Sequence, residues 1–173
     1  QVYLSAGFLA AETQLHEAVQ NQARLILLTG HTGTGKSQLL GHLQILLDET
    51  RPVFYLPYSA LLIEDFIGFV ASALDIHLPD GSDIFSALQD GFRELAEDGD
   101  KPILLIDDAH SLGCDVLENL IGLFQLGAGE ESLAQLVLAA NPEIEYTLER
   151  PELRELEENL ARMSRLQPLG RQE

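Results

Sequence analysis

Four short apolar runs punctuate the chain: Leu25 to Thr29, Val53 to Leu56, Ile103 to Ile106 and Leu136 to Ala140. None of them alternates with polar residues. A continuous apolar run of this length predicts a strand covered on both faces, the habit of parallel sheets. Helical spacing fills the stretches between. Ile84, Leu88, Phe92 and Leu95 recur along one helix face, after Asp80-Gly81-Ser82 supplies a break and a capping residue. Val116, Leu117, Leu120, Ile121 and Phe124 form a second such face, which Gly127-Ala128-Gly129 stops. Leu39 to Leu47 and Leu61 to Leu74 complete the helices. Strand then helix, repeated, predicts βαβ units in a three-layer α/β/α sandwich with a five-stranded, mainly parallel sheet. The fifth strand is placed near Met163 to Leu169. The stretch Glu143 to Glu158, with Glu and Arg interleaved, reads as a solvated helical face.

Composition narrows the partners. The 173 residues suit one domain with a substantial core, and residues 1–173 show no repeat, low-complexity tract or linker. Because the chain starts at Gln1 and not at Met, it is expected to be a fragment of a longer polypeptide. Acidic residues number 28 against 10 basic ones, a net charge of −18. That balance opposes nucleic acid, which is bound by neutralising phosphates with clustered Lys and Arg, and it opposes an anionic membrane surface. The single cysteine, Cys114, excludes an internal disulfide. A reducing cytoplasm is the expected compartment. No apolar run approaches the ~20 residues that cross a bilayer, and no secretory segment opens the chain.

Chemistry enters at the end of the first run. Gly30-x-x-x-x-Gly35-Lys36-Ser37 follows that strand directly and opens an amphipathic helix, the context of a Walker A phosphate loop. Glycines allow positive φ and close backbone approach, so successive N–H groups turn toward a β-phosphate, and the helix N-terminus adds to the field. Lys36 is expected at the β- and γ-phosphates, with the Ser37 hydroxyl on Mg²⁺. The residues assigned to the nucleotide, ATP, are Gly30, His31, Thr32, Gly33, Thr34, Gly35, Lys36, Ser37 and Gln38. A second signal is the run Ile103 to Ile106 continued by Asp107-Asp108-Ala109-His110. Both acids fall at the carboxyl edge of a parallel sheet, where ligands bind. Successive strand residues point opposite ways, so the two divide their tasks: Asp107 meets Mg²⁺ through water and Asp108 orients the attacking water. Asn141, straight after the fourth run and before Pro142, either holds that water or a γ-phosphate oxygen, or is an ordinary turn residue.

Gly30 to Ser37, Leu104 to His110 and Leu136 to Glu143 together resemble AAA+ P-loop ATPases, more narrowly the bacterial secretion-associated group typified by ExeA and GspA. Tyr3 to Gly7, Leu138 to Ile144, Arg150 to Arg154 and Leu166 to Glu173 are similar to that group's pattern as well. The resemblance implies a cytoplasmic ATPase module that, in relatives, precedes a membrane helix and a peptidoglycan-binding part and assists assembly of an envelope machine. Cell-division ATPases and transposition helpers look alike at this level. Two positions depart from the pattern. Relatives carry Asp-Glu where Asp107-Asp108 stands here, and an arginine finger at the position aligned with Asn159. A cation for the neighbouring subunit's nucleotide would then come from Arg162, three residues on along a continuing helix, ahead of Arg165 and Arg154, unless these arginines only pair with surface glutamates. A chain of 173 residues is expected to have the small helical lid of such ATPases absent or truncated.

Two function classes follow. The first is a Mg²⁺-dependent ATPase, slow or partner-dependent, with protein partners, nucleotide-dependent self-association, no nucleic acid and no direct membrane contact. The second is a nucleotide-gated interaction module with negligible hydrolysis, toward which Asp108 and Asn159 lean. A small-molecule kinase is disfavoured because the chain has no Arg-rich lid or acceptor-binding signature.

Overall fold

Each apolar run forms a strand: β1 is Leu25–Thr29, β2 Val53–Leu56, β3 Ile103–Ile106 and β4 Gln135–Ala140. A computed structural model describes residues 6–47, 51–56, 63–73, 75–76, 83–97, 101–124, 131–162 and 165–166. Every residue of β1, β3 and β4 is buried, as a strand covered on both faces must be. The sheet order is β2-β3-β4-β1-β5, with every neighbouring pair parallel.

Alternation along the strands divides the core in two. Leu25, Leu27, Leu104, Ile106, Leu136 and Leu138 face one side. There they meet Val70 of α3 (Ile63–Ala73), Leu88 and Phe92 of α4 (Ile84–Glu97), and Leu117 and Leu120 of α5 (Cys114–Phe124). Ile26, Leu28, Ile103, Leu105 and Val137 face the other side, against α1 (Ala6–Gln20) and α2 (Lys36–Leu47). No apolar run marks α1 in the sequence, although its buried Phe8, Ala11, Leu15 and Val19 keep helical spacing. Alanines and polar residues dilute that stripe.

The fifth strand lies earlier than expected. β5 is Leu160–Arg162, registered with Leu160 beside Leu25. Within Met163 to Leu169 the described residues contribute only a bridge from Leu166 to Gly30; Met163, Ser164 and the chain from Gln167 on lie outside the description. An edge strand is covered incompletely, so Leu160 and Ala161, both half-buried, leave no long apolar run to read.

Of the predicted helix boundaries, Asp80-Gly81-Ser82 and Gly127-Ala128-Gly129 lie outside the described residues. Asp83 caps α4: its Oδ1 accepts the Phe85 N–H at 3.1 Å and its Oδ2 the Ser86 hydroxyl at 3.0 Å. The acidic stretch folds into α6 (Ile144–Leu148) and α7 (Arg154–Glu158), joined through a 3₁₀ turn at Pro151–Leu153. Leu148, Leu153 and Leu156 are buried beneath exposed Glu149, Glu152, Glu155 and Glu158, which is the solvated helical face expected.

One buried polar side chain ties the layers together. Gln135 Nε2 donates to the carbonyls of Val19 at 3.1 Å and Ala23 at 3.0 Å, and its Oε1 accepts from Arg51 at 2.6 Å.

Candidate functional site

Sheet order gathers the candidate residues. Because β4 lies between β3 and β1, the loop leaving β1, the acids leaving β3 and Asn141 leaving β4 open on the same carboxyl edge. Gly30 N–H donates to Ala140 O at 3.1 Å, joining the root of the loop to the end of β4. A Cβ on Gly30 would stand 2.5 Å from Thr34 Oγ1 and 3.1 Å from Leu166 Cβ, so only glycine fits there. Gly33 and Gly35 take φ of 82° and 91°, a left-handed backbone that glycine adopts without cost. Thr34 is buried, and its hydroxyl donates to His31 O at 2.8 Å. His31, Thr32, Gly33, Ser37 and Gln38 are exposed. Ser37 and Gln38 lie in the first turn of α2, whose leading N–H groups have no partner within the helix.

Lys36 reaches back over this loop. Its ammonium donates to Gly30 O at 2.8 Å, His31 O at 3.0 Å and Asn141 Oδ1 at 3.4 Å. Burial lowers its pKa, while the charges of Asp107 and then Asp108 oppose that shift. The lysine, both acids and Asn141 therefore share one electrostatic neighbourhood.

The acids are arranged differently from the expectation. β3 stops at Ile106, so Asp107 and Asp108 occupy a turn and not alternate positions of a strand. Asp107 is 2% exposed; its Oδ2 accepts the Tyr55 hydroxyl at 3.0 Å and its Oδ1 the Asp108 N–H at 2.9 Å. Asp108 sits at φ 50°, ψ 36°, so the chain turn and not the pleat sets the two carboxylates apart. Sequence reasoning missed Tyr55. It lies on β2 level with Leu105, one residue from the strand's carboxyl end, and only the pairing of β2 with β3 brings it to Asp107. Burial, followed by the charge of Asp107, pushes its phenol up to about 12.

Asn141 faces His110, which stands on the 3₁₀ turn Ala109–Ser111 directly after the acids. Its backbone N–H lies 3.3 Å from His110 Nδ1 and its Nδ2 3.3 Å from His110 Nε2.

The arginine expectation needs correction. α7 ends at Glu158 and Arg162 is the last residue of β5, so no continuing helix puts it on one face with Asn159. The side chain of Arg162 lies outside the description. Asn159 donates its amide to Glu155 O at 2.8 Å, closing the end of α7. Arg154 opens α7 and is exposed. Arg165 Nη2 lies 2.9 Å from His31 Nε2, and so touches its own chain's loop.

Among the described residues, no group of three or more His, Cys, Asp and Glu side chains is placed to hold a metal. Ser37 and Asp107 offer oxygens alone, which suits Mg²⁺ arriving with nucleotide phosphates and retaining waters.

Known proteins match this arrangement. The sequence pattern of a family described as AAA domain covers residues 19–148. General secretion pathway protein A of Aeromonas hydrophila is 28% identical over 99% of the chain, which spans 32% of that protein. Cdc6p of Pyrobaculum aerophilum superposes with a TM-score of 0.70 at 24% identity, covering 95% of this chain and 46% of that one. A Drosophila ORC structure, solved bound to DNA, gives 0.63 at 12% identity, with 93% and 90% covered. Those two likenesses carry the fold. The chain belongs to the AAA domain family, as a P-loop α/β domain of the nucleotide-binding ATPase type similar to that of General secretion pathway protein A.

Proposed function

We propose that the chain is a cytoplasmic AAA+ module that binds Mg-ATP through Gly30 to Gln38, hydrolyses it slowly, and assists assembly of a bacterial envelope machine such as a secretion or pilus system. The observation that carries this reading is Lys36, whose ammonium is held over the loop by Gly30 O, His31 O and Asn141 Oδ1, next to Asp107 and Asp108. A cation tethered by neutral carbonyls exchanges them for phosphate oxygens at a gain, because both partners of the new contact are charged. Ser37 and, through water, Asp107 would hold Mg²⁺, which neutralises phosphate charge. Asp108 would orient the attacking water and Asn141 would hold a γ-phosphate oxygen. The envelope role rests on the similarity to the secretion protein, and protein partners suit an acidic surface. No described helix is long and apolar enough to cross a membrane.

A second reading, a nucleotide-gated interaction module with negligible hydrolysis, is favoured by Asn159, which hydrogen-bonds within its own helix and brings no cation to a neighbour. One experiment separates them: calorimetric Mg-ATP affinity together with phosphate release at several protein concentrations. Lys36→Ala is expected to abolish tight Mg-ATP binding with the fold intact, and affinity unchanged within about twofold would refute the site. Phosphate release by the parent that rises more than linearly with concentration supports the ATPase with nucleotide-dependent self-association. Binding without release supports the gated module.

A further inference from the structure

We propose that His110 is a positioning residue that sets the orientation of the Asn141 amide, and through it the preference for ATP over ADP. This rests on the reading of the site as an ATP site with Asn141 at the γ-phosphate. Three contacts converge on Asn141: Lys36 donates to its Oδ1 at 3.4 Å, its Nδ2 faces His110 Nε2 at 3.3 Å, and its backbone N–H faces His110 Nδ1 at 3.3 Å. A neutral imidazole has one accepting nitrogen and one N–H. Both Asn141 groups that face the ring are donors, so the ring cannot satisfy both.

The backbone N–H is fixed by the end of β4, whereas the amide can rotate by half a turn. With Nδ1 accepting the backbone N–H, Nε2 carries the proton and calls for an oxygen. Lys36, a donor with no acceptor, calls for the same oxygen. The two residues therefore compete for Asn141 Oδ1. Lys36 holds it here, and a charged donor makes the stronger bond. Once the ammonium turns to a nucleotide phosphate, Oδ1 is released to His110 Nε2–H and Nδ2 swings out as a donor toward the γ-phosphate. ADP has no oxygen there to receive it. His110 thus converts the departure of the lysine into a γ-phosphate donor.

The test is calorimetric affinity for Mg-ATP and Mg-ADP in the parent, His110→Phe, His110→Gln, Asn141→Ala and the Asn141→Ala, His110→Phe double variant. His110→Phe should lower the preference for ATP about tenfold, the worth of a hydrogen bond to a charged group, and leave ADP affinity unchanged. His110→Gln, whose amide can still donate to Oδ1, should restore most of the preference. In the Asn141→Ala background the Phe substitution should cost nothing further. A His110→Phe variant that keeps the parent's preference, or weakens both nucleotides equally, overturns the role of His110 while leaving the ATP site standing. A parent that binds neither nucleotide overturns the site reading and this proposal with it. Should the Phe variant not fold, imidazole ¹⁵N shifts of the parent decide. Mg-ATP should leave His110 protonated at Nε2, and protonation at Nδ1 refutes the mechanism.

Discussion

Tyr55 binds its proton more tightly in the folded chain than in the unfolded one, its phenol being raised from 10.0 to about 12. An acid whose folded pKa is raised contributes stability that is complete below the unfolded value and lost as the pH climbs to the folded one. The parent should therefore lose stability between about pH 10 and about pH 12 more steeply than Tyr55→Phe, measured by urea midpoints across that range. Parallel curves would show that burial and the Asp107 contact do not hold the phenol neutral. At pH 7 the same substitution should cost about 1 kcal/mol, since Asp107 Oδ2 loses a donor. Asp108 carries a different residue-scale tension: at φ 50° it occupies a backbone region that a longer, unbranched acid tolerates less well than Asp or Asn. Lengthening it to Glu would thus extend the carboxylate at some backbone cost. The loop from Gly30 to Ser37 was legible in sequence because its demands are local: glycines at fixed spacing, then a lysine at a helix start. Tyr55 with Asp107 and His110 with Asn141 were not, because their partners lie 52 and 31 positions apart and meet only through strand pairing.

At the scale of elements, the strands that sequence revealed are continuous apolar runs, three of which, β1, β3 and β4, are buried along their whole length. β5 escaped because its three residues, Leu160–Arg162, form no apolar run of the kind that marks β2 at the other edge, and α1 because its apolar stripe is broken by alanine and polar residues. Gln135 is the exception inside β4, a polar residue with no exposure in an otherwise apolar strand. It joins the start of β4 to the carboxyl end of α1 and to Arg51 ahead of β2, so three elements depend on one amide. Gln135→Leu should lower the unfolding free energy by about 1–3 kcal/mol, because a buried carbonyl, a part-buried one and a guanidinium lose their partner. Chemical denaturation measures it, and a loss under about 0.5 kcal/mol would mean that water replaces the amide.

Over the whole molecule the net charge of −18 governs encounters. A DNA-bound ORC shares the fold, so the fold leaves DNA open and charge has to decide. Fluorescence anisotropy with duplex DNA at physiological salt should show no complex up to about 10 μM protein, with or without ATP. A submicromolar, salt-sensitive complex would reverse this and revive the transposition-helper reading. One place of mechanical interest lies beyond β5, where Leu166 meets the root of the loop from Gly30 to Ser37. Leu166 N–H donates to Thr29 O at 2.8 Å and bridges Gly30, so that segment is stitched to the root of the loop. Tension on Leu166 would reach Gly30 through a single hydrogen-bonded step. Coupling of this kind is reciprocal. On the proposed reading of that loop as a phosphate site, the stitch would work as a strain gauge read from either end: a displacement of Leu166 would alter the loop's grip on phosphate, and a seated phosphate would hold Leu166 more firmly.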